Sequence, residues 1–234
     1  MSAIDDAFDG LHHMIASGEL QPGQRFPPEA QLCDRLQVSR GPLREAVRML
    51  GALGVIESRH GSGTFVSPLE PANIIGALSL TVSLMPIDGL LDLYEVRRVI
   101  ESHAAAQAAS RFTDEHAEAL GAILDEIEAA PPGAPASDLD AEFHASIARL
   151  AHNDALSTLL DVFRSRSNAY QLWNLPGGAE MKAASDHGHR DILGALKRRD
   201  PAGAALAAAS HVAITEQWMR ERRPQPDQVP ASAP

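Results

Sequence analysis

The chain has 234 residues, 44% of them hydrophobic and 22% charged, a balance that suits a folded globular protein and excludes a disordered one. The formal net charge of -11 argues, for the chain as a whole, against a nucleic-acid partner, and the single cysteine, Cys33, excludes a disulfide framework and any cysteine-rich metal site. The acidic start MSAIDDAFDG and the interrupted apolar run around 74–84 predict neither a secretory signal nor a membrane span, so the expected compartment is the cytoplasm.

In chain order, residues 4–17 form the first predicted helix: Phe8, Leu11 and Ile15 recur at helical spacing, and Gly18 stops it. Residues 21–28, QPGQRFPP, predict an extended turn, then a short helix over 29–36 and a break at Gln37-Val38. Ser39 suits the cap of a third helix reaching residue 50 or 51, with Pro42 in its first turn, where a missing N–H is tolerated. Leu43, Val47 and Leu50 give this helix an apolar face, and Arg40, Arg44 and Arg48 fall on another at i, i+4 spacing. Residues 55–57 and 64–66, joined across His60-Gly61-Ser62-Gly63, predict a hairpin.

Helix, helix, turn, helix and hairpin is the pattern of a winged helix-turn-helix, an α+β unit. Such a unit presents the start of its third helix to base edges, while arginines on that helix and on the wing neutralise phosphates. A helical protein–protein module of the same shape is the alternative. Residues 1–67 carry six basic and eight acidic side chains, yet from Arg35 to His60 five arginines (35, 40, 44, 48, 59) face only Glu45 and Glu57. A small basic face can therefore exist inside an acidic chain. Arg35, Ser39, Arg40, Arg44, Arg48, His60 and Gly61 are the candidate DNA contacts.

Beyond residue 67 no strand pattern recurs. Residues 68–88 read as a linker with a helix near 72–84, punctuated by Pro68, Pro71 and Pro86. Helices are then predicted over 90–110, over 114–129 with Thr113 as cap, from a cap at Ser137 or Asp138 to about 152, over 154–173, over 179–199 and over 202–222. The proline density of 130–135 predicts a loop, 176–178 should end one helix, and 223–234 predict a Pro-rich disordered tail. The expectation is an all-α bundle of six or seven antiparallel helices over 89–222.

Four side chains in that bundle have metal-ligand spacing. Asp140 and His144 stand four apart on one helix face. His189 and His211 each lie 11 residues from Asp200, where the last two helices join, so both sit at the same height, roughly 16 Å from the turn. One carboxylate and three imidazoles suit a divalent transition metal, zinc foremost, with nickel, iron or manganese as alternatives; unrelated histidines are the competing reading. His187 is excluded from the set because it lies about 200° around the helix from His189, and Asp186 and His187 are expected to be solvated. Arg97 is the candidate to hold an acidic ligand, with an internal ion pair to Glu101 as the alternative.

The stretch SGELQPGQRFPPEAQLCDRLQVSRGPLREAVRMLGALGVIESRHGSGTFV resembles the GntR-type winged helix-turn-helix. LYEVRRVIE, DLDAEFHASIARLAHN, HRDILGALKRRD and AAASHV resemble the FCD effector domain of the FadR subfamily, so the likeness spans about residues 10–220 in two independent parts. The resemblance implies a non-enzymatic, homodimeric bacterial transcription regulator that binds a palindromic operator in double-stranded DNA, in most relatives as a repressor released by a small metabolite. It places Arg40 and Arg44 at the start of the recognition helix, His60 and Gly61 at the wing tip, and Asp140, His144, His189 and His211 at the metal ligands of the metal-containing members. Arg97 matches an arginine facing the effector pocket, and Asn153 is expected as a helix-end cap. The metal set implies a small carboxylate as effector; a metal-dependent enzyme using the same centre is the alternative, but nothing resembles His-Glu-x-x-His. Two positions depart from the pattern: Ala30 replaces a basic residue that touches phosphate, and Gly188 replaces a glutamate just before His189.

Overall fold

A computed structural model of the protein describes residues 2–131, 134–168, 170 and 172–225. The chain divides into two compact units, Met1–Leu78 and Ser79–Pro234.

In the first unit, α1 (Ala3–Ala16) opens on a reciprocal cap: the Asp5 N–H donates to Ser2 Oγ and the Ser2 N–H to Asp5 Oδ2. Its buried face, Ala7, Leu11 and Met14, packs on Leu43, Ala46 and Leu50 of α3 (Arg40–Ala52). Between them lies α2 (Glu29–Leu36), which ends where Gln37 turns left-handed at φ 55° and redirects the chain into α3. Strands β1 (Ile56–Arg59) and β2 (Gly63–Val66) pair antiparallel in the register Ile56↔Val66 to Arg59↔Gly63. The Pro-rich turn lies along β2: the Phe26 N–H donates to the Thr64 carbonyl and the Val66 N–H to the Gln24 carbonyl. This is the winged helix-turn-helix read from the sequence. A short helix α4 (Pro71–Gly76), from the segment expected as linker, packs on the same unit. Gly54 makes that possible, since a Cβ there would stand 2.5 Å from the Asn73 carbonyl oxygen.

The second unit is all helix among the described residues: the short α5 (Ser79–Ser83), then α6 (Ile87–Ala109), α7 (Asp114–Ala129), α8 (Ala134–Leu150), α9 (Asp154–Asn168), α10 (Gly178–Lys197) and α11 (Pro201–Arg222). The single helix expected near 72–84 is thus two short ones. Thr113 caps α7 as expected, with the His116 ring accepting from the Thr113 N–H in return. Asn153 caps the start of α9 by accepting the Leu156 N–H at 3.0 Å. Three expectations fail. Ser137 and Asp138 do not cap α8, which already begins at Ala134; a proline in the first turn gives up only an N–H that has no helical partner. Residues 132–133 of the predicted loop lie outside the described residues. α9 stops at Asn168, a 3-10 turn over Leu172–Asn174 follows, and Gly177, at φ 80°, opens α10 instead of ending its predecessor. Residues 226–234 of the predicted tail also lie outside the described residues.

α11 lies along α6, and alanines at 105, 108, 204 and 208 let the two backbones approach. Asp200 caps α11 through the Gly203 N–H and, with Pro201, closes the tight α10–α11 turn. The main core joins Phe112, Leu120, Leu124 and Ile127 to Phe143, Ile192 and Leu196.

Candidate metal centre and nucleic-acid face

Helix α8 projects Asp140 and His144 from one face, one turn apart; α10 brings His189 and α11 brings His211 to the same level. The four ligand atoms lie within 4.8 Å of one another. His144 Nε2 and His189 Nε2 are 3.2 Å apart, and Asp140 Oδ1 stands 3.1 Å from the second and 3.9 Å from the first. The His211 ring lies 4.4 Å from that of His189 and 4.9 Å from that of His144, centre to centre. All three histidines are buried, His189 completely.

Such packing of polar rings is costly unless something draws them together. Burial, then the charge of Arg164, pushes the His144 imidazole down to about 4, and burial pushes His211 well below the usual histidine value. Burial alone would raise the Asp140 carboxyl, but Arg164 and a bond from His189 outweigh it and hold it far below the usual carboxylate range. An ionised Asp140 beside neutral His144 and His211 is the protonation state a divalent cation requires of those ligands. The Nδ1 atoms of His189 and His211 are buried without hydrogen-bond partners. The donor set fits a metal with one oxygen and three nitrogen ligands.

Two further groups hold this cluster in place: Glu101, named from the sequence only as a partner for Arg97, and Arg164, which the sequence did not point to. Glu101, on α6, puts Oε2 3.4 Å from His144 Nδ1, which turns Nε2 toward the cluster. Arg164, on α9, donates to Asp140 Oδ2 at 2.7 Å, leaving Oδ1 to face the histidines, and also donates to both oxygens of Glu101. The sequence signal for Arg164 was faint: an arginine four residues after buried Leu160, on the face of α9 turned inward.

Arg97 makes the internal ion pair with Glu101 that is its alternative reading, and it also borders a cavity. Its Nε donates to Glu101 Oε1 at 2.8 Å and its Nη1 to Ser167 Oγ at 2.9 Å. It also lines, with Asp140, Arg164, Ser167, His211 and Thr215, a cavity of about 60 Å³. One water needs about 10–15 Å³ of such space, so the cavity has room for roughly four to six non-hydrogen atoms, the size of a small organic acid. His187 is exposed and pairs with Asp191, outside the cluster as expected. Asp186 corrects its expectation: it is not simply solvated but accepts from the buried Lys182 Nζ at 2.8 Å.

In the winged unit, Arg44 and Arg48 of α3 share a groove of about 680 Å³ with Arg25, Glu29 and Thr64. Ser39 stands at the N-cap of α3 without a side-chain cap bond, and Arg40 is exposed beside it. His60 and Gly61 are exposed at the wing tip, Gly61 with φ 71°. Most of the candidate arginines are already paired. Arg44 donates through Nε and Nη2 to the two oxygens of Glu29, at 2.6 and 3.0 Å, and that contact lowers the Glu29 carboxyl. Arg48 pairs with Glu45 at 2.9 Å, Arg35 with Glu19, and Arg59 with Glu57. Arg35 thus lies away from the groove, turned to the loop after α1.

Residues 3–66 match the model of the gntR family of bacterial regulatory proteins, and residues 92–213 match the FCD domain. The chain is 31% identical over 206 residues to an uncharacterized HTH-type transcriptional regulator of Mycobacterium tuberculosis, covering 85% of this chain and 81% of that protein. It is 29% identical over 228 residues to the Uxu operon transcriptional regulator of Escherichia coli, covering 90% of this chain and 84% of that one. A solved structure, Streptococcus agalactiae GntR, superposes with a TM-score of 0.60 at 30% identity over 92% of this chain and 99% of that chain. The relatives are transcriptional regulators, not enzymes, and with the winged unit and the helical unit both matched in order, the chain belongs to the gntR family of bacterial regulatory proteins and carries an FCD domain.

Proposed function

We propose that the protein is a homodimeric, FadR-subfamily transcription regulator of the bacterial cytoplasm whose hold on a palindromic operator is altered by a small carboxylic acid bound at a metal centre. Residues 1–67 read the operator, 68–88 carry the change, and 89–222 bind the effector and the second protomer. Arg40, Arg44, Arg48, Ser39, His60 and Gly61 meet DNA, with Arg35 at the margin. Asp140, His144, His189 and His211 hold the metal, zinc in the first place. The observation that carries the reading is the buried Asp140–His cluster opening onto a small cavity walled by Arg97 and Arg164. The metal supplies an electrophilic anchor for a carboxylate. Arg97 supplies a planar, two-pronged partner for the same group, and the low-dielectric wall strengthens both.

Half-sites one DNA turn apart require two winged units about 34–36 Å apart, so a small change in their spacing alters affinity strongly. The acid acts by binding one spacing better than the other. The test is fluorescence anisotropy on DNA upstream of the protein's own gene, using zinc-loaded protein. A panel of two- to six-carbon carboxylic acids is first screened for one that raises its melting temperature. That acid should change operator affinity at least tenfold. Equal affinity with and without it would overturn the reading.

A further inference from the structure

Tyr94 is fully buried on α6, one turn before Arg97, in an apolar cluster with Leu90, Leu91, Val212 and Met219. The Arg97 guanidinium lies over its ring, 4.6 Å from the ring centre. These surroundings satisfy the ring, and a phenylalanine would fill the same place. They do not satisfy the hydroxyl: Tyr94 Oη is buried and, among the described residues, has no hydrogen-bond partner. A hydroxyl removed from water without a partner is costly, and a buried tyrosine usually finds one. Tyr94 also lines the cavity beside Asp140 and Arg97. Arg164 lines it too, and its Nε is a second buried donor with no acceptor among the described residues. Two unused donors on the wall of one cavity call for acceptor oxygens inside it.

We propose that Tyr94 is an effector-binding residue whose hydroxyl donates a hydrogen bond to an oxygen of the bound acid. The inference rests on the effector reading proposed above, and it adds to Arg97 a neutral donor from the same helix. A carboxylate offers about four lone-pair sites on its two oxygens. A metal takes one and a two-pronged Arg97 takes two, which leaves an acceptor for Tyr94. The same apolar cluster holds a control. Tyr170 is also buried there, with the Arg166 guanidinium 5.2 Å from its ring centre, but it is not one of the residues that border the cavity.

The experiment compares zinc-loaded wild type, Tyr94→Phe and Tyr170→Phe. The probes are the two- to six-carbon carboxylic acids of the panel above, acetate the smallest, and affinity is read from the rise in melting temperature with acid concentration. For the acids that wild type binds, Tyr94→Phe should bind about 10–100-fold more weakly, the loss expected for one hydrogen bond to a charged oxygen. Tyr170→Phe should bind them as wild type does. With neither metal nor acid, Tyr94→Phe should melt at or above the wild-type temperature, because it sheds a hydroxyl that has no partner. Acid affinity within twofold of wild type for Tyr94→Phe, or an equal loss in Tyr170→Phe, overturns this inference alone. A metal-free Tyr94→Phe that melts several degrees below wild type, or does not fold, gives the hydroxyl a structural task and overturns it too. Wild-type protein stabilised by no acid of the panel overturns the effector reading and this inference with it.

Discussion

At the scale of single residues, the helical unit buries two arginines and two carboxylates together: Arg97, Arg164, Glu101 and Asp140. Their charges cancel, which is how four ionised groups survive in one interior. The sequence made Asp140 and the three histidines legible because helical spacing and the Asp200 turn put them at one height. It did not reveal Arg164 or the shared role of Glu101, because Arg164 lies 24 residues from Asp140 and 63 from Glu101 and no local period links them. Arg164→Leu leaves Asp140 with no arginine and Glu101 with only Arg97. Breaking a buried pair this way costs about 3–5 kcal/mol, which urea denaturation of metal-free protein should show. Zinc affinity should fall as well, since Asp140 is then free to turn away. A variant as stable as wild type would remove Arg164 from this role.

At the scale of elements, helix caps were readable only in part. Thr113 and the α2–α3 break stand where local side chains and backbone predict, whereas Ser137 and Asp138, also good cap residues, fall inside α8. Segments around proline were less readable. Pro135 falls inside the first turn of α8, and Pro176 precedes α10, since proline is disfavoured in a helix interior but accepted at its start. Helix α3 shows a further element-level device. Glu29 at the start of α2 clasps Arg44 across the turn, and in the proposed function this pair orients the guanidinium for DNA. Arg44→Ala should weaken operator binding by about 1–3 kcal/mol through loss of a base or phosphate contact, with fold and metal content unchanged. Glu29→Gln should lose part of that energy even though its own charge is unfavourable beside DNA; tighter operator binding by Glu29→Gln would show that the clasp competes with DNA and does not prepare for it.

At the scale of the molecule, the net charge of -11 was a poor guide to partners because charge acts on DNA locally. Most of the acidic excess follows residue 67, where fourteen basic residues face twenty-three acidic ones. The fold class of both units followed from the order of predicted helices and the one hairpin, whereas the cavity beside Arg97 depends on how α6, α8, α9, α10 and α11 meet and could not be read in advance.

The pairing of Arg35, Arg44, Arg48 and Arg59 with their own glutamates has a consequence for how the proposed dimer responds to ionic strength. Binding to DNA gains entropy when lysine or arginine displaces condensed counterions from phosphates, with a slope of about -0.9 per phosphate neutralised. Twelve free arginines in a dimer would give a slope near -11 on that rule. Arginines that arrive already balanced by a carboxylate displace few cations, and among the described residues Arg25 and Arg40 are the arginines of the winged unit with no ion pair. In the proposed dimer the logarithm of operator affinity against that of potassium concentration should therefore fall with a slope nearer -4 than -11, so the regulator keeps its grip when the salt around it rises.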